Sequence, residues 1–173
     1  EQFKELYQAV PKPALHTAYS TMVRSEYCNA AANLKDCYLA FKADFNENSG
    51  YLNSIGHLKD CFDVSYANQN ELCYESVNIQ KCYSTLYSKD CDECRNVLFS
   101  ENLVGCSDCF GCINLKNKQY HIFNEPFTKE EYVKKLANFN LNTRRGVEES
   151  KGLFEEFTKT QPRREFHGRR TED

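Results

Sequence analysis

Six residues return along this chain with a cysteine always in the fifth place: Asn-Leu-Lys-Asp-Cys-Tyr at 33–38, His-Leu-Lys-Asp-Cys-Phe at 57–62, Asn-Ile-Gln-Lys-Cys-Tyr at 78–83 and Asn-Leu-Val-Gly-Cys-Ser at 102–107. Aligned on Cys37, Cys61, Cys82 and Cys106, the copies stand 24, 21 and 24 residues apart. Three residues earlier come Leu34, Leu58, Ile79 and Leu103, and four earlier come Asn33, His57, Asn78 and Asn102. Nine residues before each cysteine stand Cys28, Leu52, Cys73 and Val97. Self-similarity at such a period marks a repeat architecture and outranks local propensity. Helical repeats need about 33 residues or more, and these segments are rich in Asn, Ser, Tyr and Cys rather than in helix formers.

The Asn/His column reads as a set of left-handed corners, since these residues are enriched among non-glycine residues at positive φ. Between the corners lie short β-branched and aromatic runs such as CYLAF (37–41), FDVSY (62–66) and YSTLY (83–87). The expected fold is all-β: a short right-handed parallel β-helix, a solenoid of about four 21–24-residue coils. Cys37, Cys61, Cys82 and Cys106, with Leu34, Leu58, Ile79 and Leu103, are expected to form inward ladders. A thiol suits such a site because, unlike a hydroxyl, it hardly needs a partner when buried. Whether Tyr38 and Ala40 or Leu39 and Phe41 face inward is open.

The flanks are expected to cap the solenoid. Phe3, Leu6, Tyr7 and Val10 follow the i, i+3, i+4, i+7 stripe of an amphipathic helix that Pro11 ends. In FTKEEYVKKLANF (127–139) Thr128 is the N-cap, Glu131 closes a capping box and Phe127 staples to Tyr132. A third helix is expected near 147–159, with Leu153, Phe154 and Phe157 on one side and Gly152 interrupting it. The organisation is therefore a capping helix and linker over 1–17, the β-helix over 18–124, and a helical extension with a basic tail over 125–173.

Ten cysteines in 173 residues fall below the density of a disulfide scaffold, and the start of the chain lacks the regions of a signal peptide. Reduced thiols and a cytoplasmic address are the expectation. A net charge of -3 gives no overall attraction to nucleic acid or anionic membrane, and no apolar run is long enough to cross a bilayer. The strongest metal-like motif is Cys91-x2-Cys94-x11-Cys106-x2-Cys109, spaced like a four-thiolate zinc site. Cys106 also belongs to the repeat column, and in a four-coil β-helix Cys94 and Cys106 fall on different sides, so an inner thiol ladder without cofactor is preferred to zinc. No nucleotide or nucleophile motif is present, and His16, His57, His121 and His167 form no ligand pair. The pairs Lys35-Asp36, Lys59-Asp60 and Lys89-Asp90 read as a solvated ladder rather than as a polysaccharide-cleaving site. Tyr38, Tyr74 and Tyr83 form a candidate stripe, read as self-stacking. Arg163, Arg164, Arg169 and Arg170 make the one basic cluster, read as a flexible charged end in preference to a contact for RNA or a ribosomal surface.

The cysteine-aromatic repeat together with CFGCINLKNKQYHIFNEPFTKEEY (109–132) resembles a family of cysteine-rich repeat proteins of C-Y-x-C type, associated with zinc ribbons, from candidate-phyla bacteria. The resemblance covers about residues 1–140 and implies kinship without an activity. Its zinc-ribbon cysteines are missing from this chain, which implies a fragment or a shortened member. Ala40, Val64 and Thr85 stand where a second repeat cysteine belongs, which argues against a metal role spread along the repeat. The function expected is a non-enzymatic solenoid scaffold for an unidentified protein partner. The alternatives are a zinc-stabilised RNA-binding module and a carbohydrate-active β-helix enzyme.

Overall fold

Every third residue from Arg24 to Phe123 has a positive φ, and every third residue from Cys28 to Cys112, each one place after such a corner, is buried. The computed structural model, which describes residues 1–10 and 17–162, shows what this count by threes builds. Parallel strands pair at an offset of twelve residues, as in Tyr38↔Gly50, Leu52↔Val64 and Cys91↔Leu103. Four corners therefore close one coil, and the coils stack into a β-solenoid of about 8 turns. With about 4.8 Å between coils, the stack is roughly 35 Å tall.

The coil of 21–24 residues expected from the repeat is thus corrected to 12, and four coils to about eight. The spacing of 24 is two coils, while 21 is seven triplets, which keeps a residue inward but moves it one side around. Cys37 and Cys61 consequently share one inner column with Ser49 between them, while Cys82 and Cys106 share the next with Cys94 between them. Leu34 and Leu58 stand with Cys82 and Cys106, separated by Asn46 (Leu34↔Asn46), and Ile79 and Leu103 form another column with Cys91 between. All eight residues are buried, but they make no single cysteine ladder or single leucine ladder. Of the two inward sets left open, only Ala40 points inside; Tyr38 and Phe41 are exposed and Leu39 is a half-buried corner.

The strands are β1 (Asn29–Lys35), β2 (Tyr38–Glu47), β3 (Gly50–Lys59), β4 (Phe62–Glu71), β5 (Tyr74–Gln80) and β6 (Tyr83–Leu86), followed by β7 (Lys89–Asp92), β8 (Arg95–Leu98), β9 (Glu101–Val104) and β10 (Ser107–Phe110). The last coil ends in β11 (Gln119–Ile122), which pairs antiparallel with β12 (Glu125–Pro126). The left-handed corner costs a non-glycine residue about 1 kcal/mol, and backbone pairing offsets it. Corner N–H groups donate to the coil below, as Asp60 to Glu47, Leu72 to Lys59 and Phe99 to Leu86, at 3.0–3.1 Å. Asn33, His57, Asn78 and Asn102 are corners as expected (φ 52–58°), yet so are Leu72, Tyr87 and Phe99.

The interior is narrow. Between Cys28 and Cys112 the inward positions hold only aliphatic, small or short polar side chains, and all ten cysteines are among them. Coils compensate each other in volume: Ala40, Ala43, Asn46 and Ser49 lie beneath Leu52, Ile55, Leu58 and Cys61.

The flanking helices are α1 (Gln2–Ala9), α2 (Lys129–Ala137) and α3 (Arg144–Thr160). The capping box at Thr128 and Glu131 is formed, and Phe127 and Tyr132 join the same apolar cluster. Gly152 does not interrupt α3, which runs continuously from a cap at Thr143; Phe154 packs in the cluster, while Leu153 is half exposed. None of the residues of α1 is buried, so it does not cover the first coil as expected of a cap.

Candidate interaction surface

One outward column carries aromatic side chains along nearly the whole stack. Tyr27, Tyr38 and Tyr51 meet edge to face at 5.6 and 5.8 Å. Phe62 lies over Gly50, where a Cβ would stand only 3.3 Å from its ring. Phe62 pairs in register with Tyr74, and Tyr74, Tyr87, Phe99, Phe110 and Phe123 continue the series with centroids 4.7–5.7 Å apart. Gly111 permits the last step: its φ is +66°, and a Cβ there would come within 2.5 Å of the Phe123 ring.

The two halves of this ridge have different neighbours. Over the C-terminal half, α2, α3 and the turn between them place Phe139, Val147 and Phe154 on Tyr87, Phe99, Phe110 and Phe123, and Phe99 and Phe110 are 1% and 0% exposed. The Phe110 and Phe139 rings approach to 4.2 Å. Lys151 closes the edge of this cover, with Nζ 2.8 Å from Glu75 and 4.7 Å above the Tyr87 ring. Over the N-terminal half the rings are bare: Tyr27, Tyr38, Tyr51 and Phe62 are 45–67% exposed. Tyr38 and Tyr74 belong to the ridge, but Tyr83 does not. It pairs with Arg95, which lies 5.2 Å over its ring on another side, because 83 is not a multiple of twelve residues from either.

Charge runs up the stack in columns on more than one side. Lys35, Lys59 and Lys89 pair with Glu47, Glu71 and Glu101 one coil above, and Arg24 and Lys81 pair likewise with Asp36 and Glu93. Asp60 and Asp90 instead accept from the side-chain amides of Asn48 and Asn78. The Lys-Asp pairs seen in the sequence therefore work as rungs between coils. Bonding to Arg24, Lys35 and Lys81 lowers the pKa of Asp36, Glu47 and Glu93, and the same bonds raise that of the three cations. His57 stacks on Phe45 at 5.0 Å, as one corner on another.

A hollow of about 800 Å³ lies between the solenoid and the end of α3, lined by Asn78, Gln80, Asp90, Glu101 and Gln161 among others. Its carboxylates are largely engaged: Asp90 with Asn78 and Lys89, and Glu101 with Lys89.

The four cysteines of the zinc-like motif come closer together than the sequence suggested. Cys94 and Cys106, expected on different sides, occupy the same column one coil apart, because twelve residues separate them. Thiol contacts link Cys91 to Cys94, Cys94 to Cys82 and Cys106, Cys106 to Cys109, and Cys109 to Cys112. Side-chain interaction with the Cys109 and Cys94 thiols lowers the pKa of Cys106 and raises theirs. Burial pushes Cys28 and Cys37 up. Among the described residues, no group of three or more Cys, His, Asp or Glu is arranged to hold a metal ion. His16, His167, Arg163, Arg164, Arg169 and Arg170 lie outside the described residues. The aromatic ridge itself escaped the sequence reading, because its members recur at eleven to thirteen residues in two adjacent positions rather than at one fixed spacing. No family model matches this chain, and no curated protein matches it.

Proposed function

We propose that the protein is a non-enzymatic scaffold for protein–protein association, and that the bare half of the aromatic ridge is its recognition surface. One observation carries this reading: a single ladder of rings is buried under helices at one end and exposed at the other. Exposed apolar patches of this extent mark interaction sites, and aromatic side chains are the usual anchors of interfaces. A rigid stack presents such anchors at a fixed rise, so a partner meets them without ordering the scaffold. The reading takes the coil as right-handed, the hand of nearly all parallel crossovers, and the thiols as reduced, in keeping with a cytoplasmic address.

The test is affinity isolation from native cells with the unaltered chain, with Tyr38→Ser/Phe62→Ser, and with Lys81→Ser in a charged column away from the ridge. Proteins retained by the first and third but lost by the second support the reading. An identical set with all three refutes it. Stoichiometric zinc in protein purified without chelator would instead favour the zinc-stabilised alternative.

A further inference from the structure

The chain carries a second exposed apolar surface of complementary shape. On α1, Phe3 and Leu6 are 79% and 61% exposed on a helix that buries nothing, and Val10, just past its end, is 49% exposed. The bare rings of Tyr27, Tyr38, Tyr51 and Phe62 continue, without a break in the ladder, a surface that helices already cover from Tyr87 onward. We infer that α1 of a second copy of this chain packs on the bare half of the ridge, each copy lending its helix to the other. This inference rests on the ridge being a recognition surface and names the occupant.

Three observations select a second copy. A single chain leaves both surfaces exposed, and reciprocal exchange covers both at once with a closed twofold interface. The charge at the boundary also matches. Lys151 of α3 meets Glu75, a corner beside the ridge. Asp63 is the corner one coil below and has no ion pair among the described residues, and α1 brings Lys4 beside Phe3. Size is adequate as well. A helix of eight residues is about 12 Å long and spans two to three coils. Each surface then loses on the order of 300 Å², and two symmetric contacts bury on the order of 1,200 Å² in total, the lower limit for a specific association. The dimer is therefore expected to dissociate on dilution.

Sedimentation velocity and light scattering on the full chain between about 5 and 200 μM test this, with circular dichroism and melting temperature as folding controls. The expected result is a monomer–dimer equilibrium that Leu6→Ser and, separately, Tyr51→Ser/Phe62→Ser each weaken tenfold or more, with an unchanged circular dichroism spectrum. Asp63→Lys should weaken it about threefold. A monomer throughout the range overturns the inference, as does a dimer indifferent to both sets of variants. Amide protection of α1 that is lost in Tyr51→Ser/Phe62→Ser while the chain stays monomeric also overturns it, since the helix would then cover its own ridge. A monomer whose captured proteins still depend on Tyr38 and Phe62 sinks only the dimer; capture that ignores the ridge sinks the scaffold reading as well.

Discussion

The N–H groups of inward residues point at the side chain one coil below, and this decides which residues the interior accepts. Cys61 N–H donates to Ser49 Oγ, Cys112 N–H to Ser100 Oγ and Cys82 N–H to Asn70 Oδ1, at 2.7–3.1 Å. The serine hydroxyls in turn donate to the carbonyl two residues back, and the cysteine thiols do the same, as Ser49 and Cys61 do to Glu47 and Lys59. A buried hydroxyl is thus supplied with the partner that the sequence reading supposed it would lack, and Cys and Ser become near-equivalents. Cys37→Ser is expected to change stability by no more than about 1 kcal/mol in urea unfolding. Asn70→Ala removes two bonds, to Cys82 N–H and Ile79 C=O, and leaves buried backbone groups unpaired. It should cost about 2–4 kcal/mol by the same measurement. Thiol reagents should find no reactive cysteine in the native chain and ten after denaturation, since all ten are buried. The charged rungs set the acid limit of stability. Asp36, Glu47 and Glu93 have folded pKa values below their unfolded ones, so their contribution is present at neutral pH and is lost as pH falls below about 4. Arg24, Lys35 and Lys81 are raised, so theirs persists at neutral pH and is lost only as pH rises past the folded values, above about 10 for the lysines. The melting temperature should be level from about pH 4 to about 8.5, above which the unfolded chain sheds thiol protons that the buried cysteines retain, and added salt should shrink the acid slope.

Among the elements, the cap formed by α2 and α3 turns one column of rings into two kinds of site. Phe110 and Phe62 occupy equivalent outward positions, yet one is 0% and the other 45% exposed. Phe110→Ser should cost about 3–5 kcal/mol because it opens a cavity beneath Phe139. Phe62→Ser should cost less than about 1 kcal/mol, and equal losses from the two would show that the cap does not seal the ridge. Both C-terminal helices were legible because their signals are local: the capping box of Thr128 and Glu131, and the apolar residues Leu153, Phe154 and Phe157. That α1 leaves its stripe exposed was not legible, since amphipathic spacing states that a face is apolar and not what it meets.

Over the whole molecule, the sequence conveyed a parallel solenoid with left-handed Asn and His corners but not its coil length. The hexapeptide copies are conspicuous at 24 and 21 residues because Leu34 and Cys37 recur two coils apart as Leu58 and Cys61. The coil between them carries the polar Asn46 and Ser49 at the same inward positions, so the apolar pattern does not repeat there. Ser and Asn inside, and Tyr, Phe and Leu at corners, invert the usual expectations for both places. The coil length can be checked directly. Deleting residues 40–51 removes one complete coil and should leave a folded, less stable chain with an unchanged β spectrum in circular dichroism. Deleting residues 40–52 shifts every later side chain off the inward phase and should abolish folding.

The two counts, three residues to a side and twelve to a storey, give the tower separate controls over direction and height. Gaining twelve residues lifts everything above by one level and leaves it facing the same way. Gaining three keeps the inside intact but rotates everything above by a quarter turn, which would carry the helical cap away from the line of the exposed rings. Small in-frame duplications in such a chain can therefore re-aim its exposed rings without rebuilding its core.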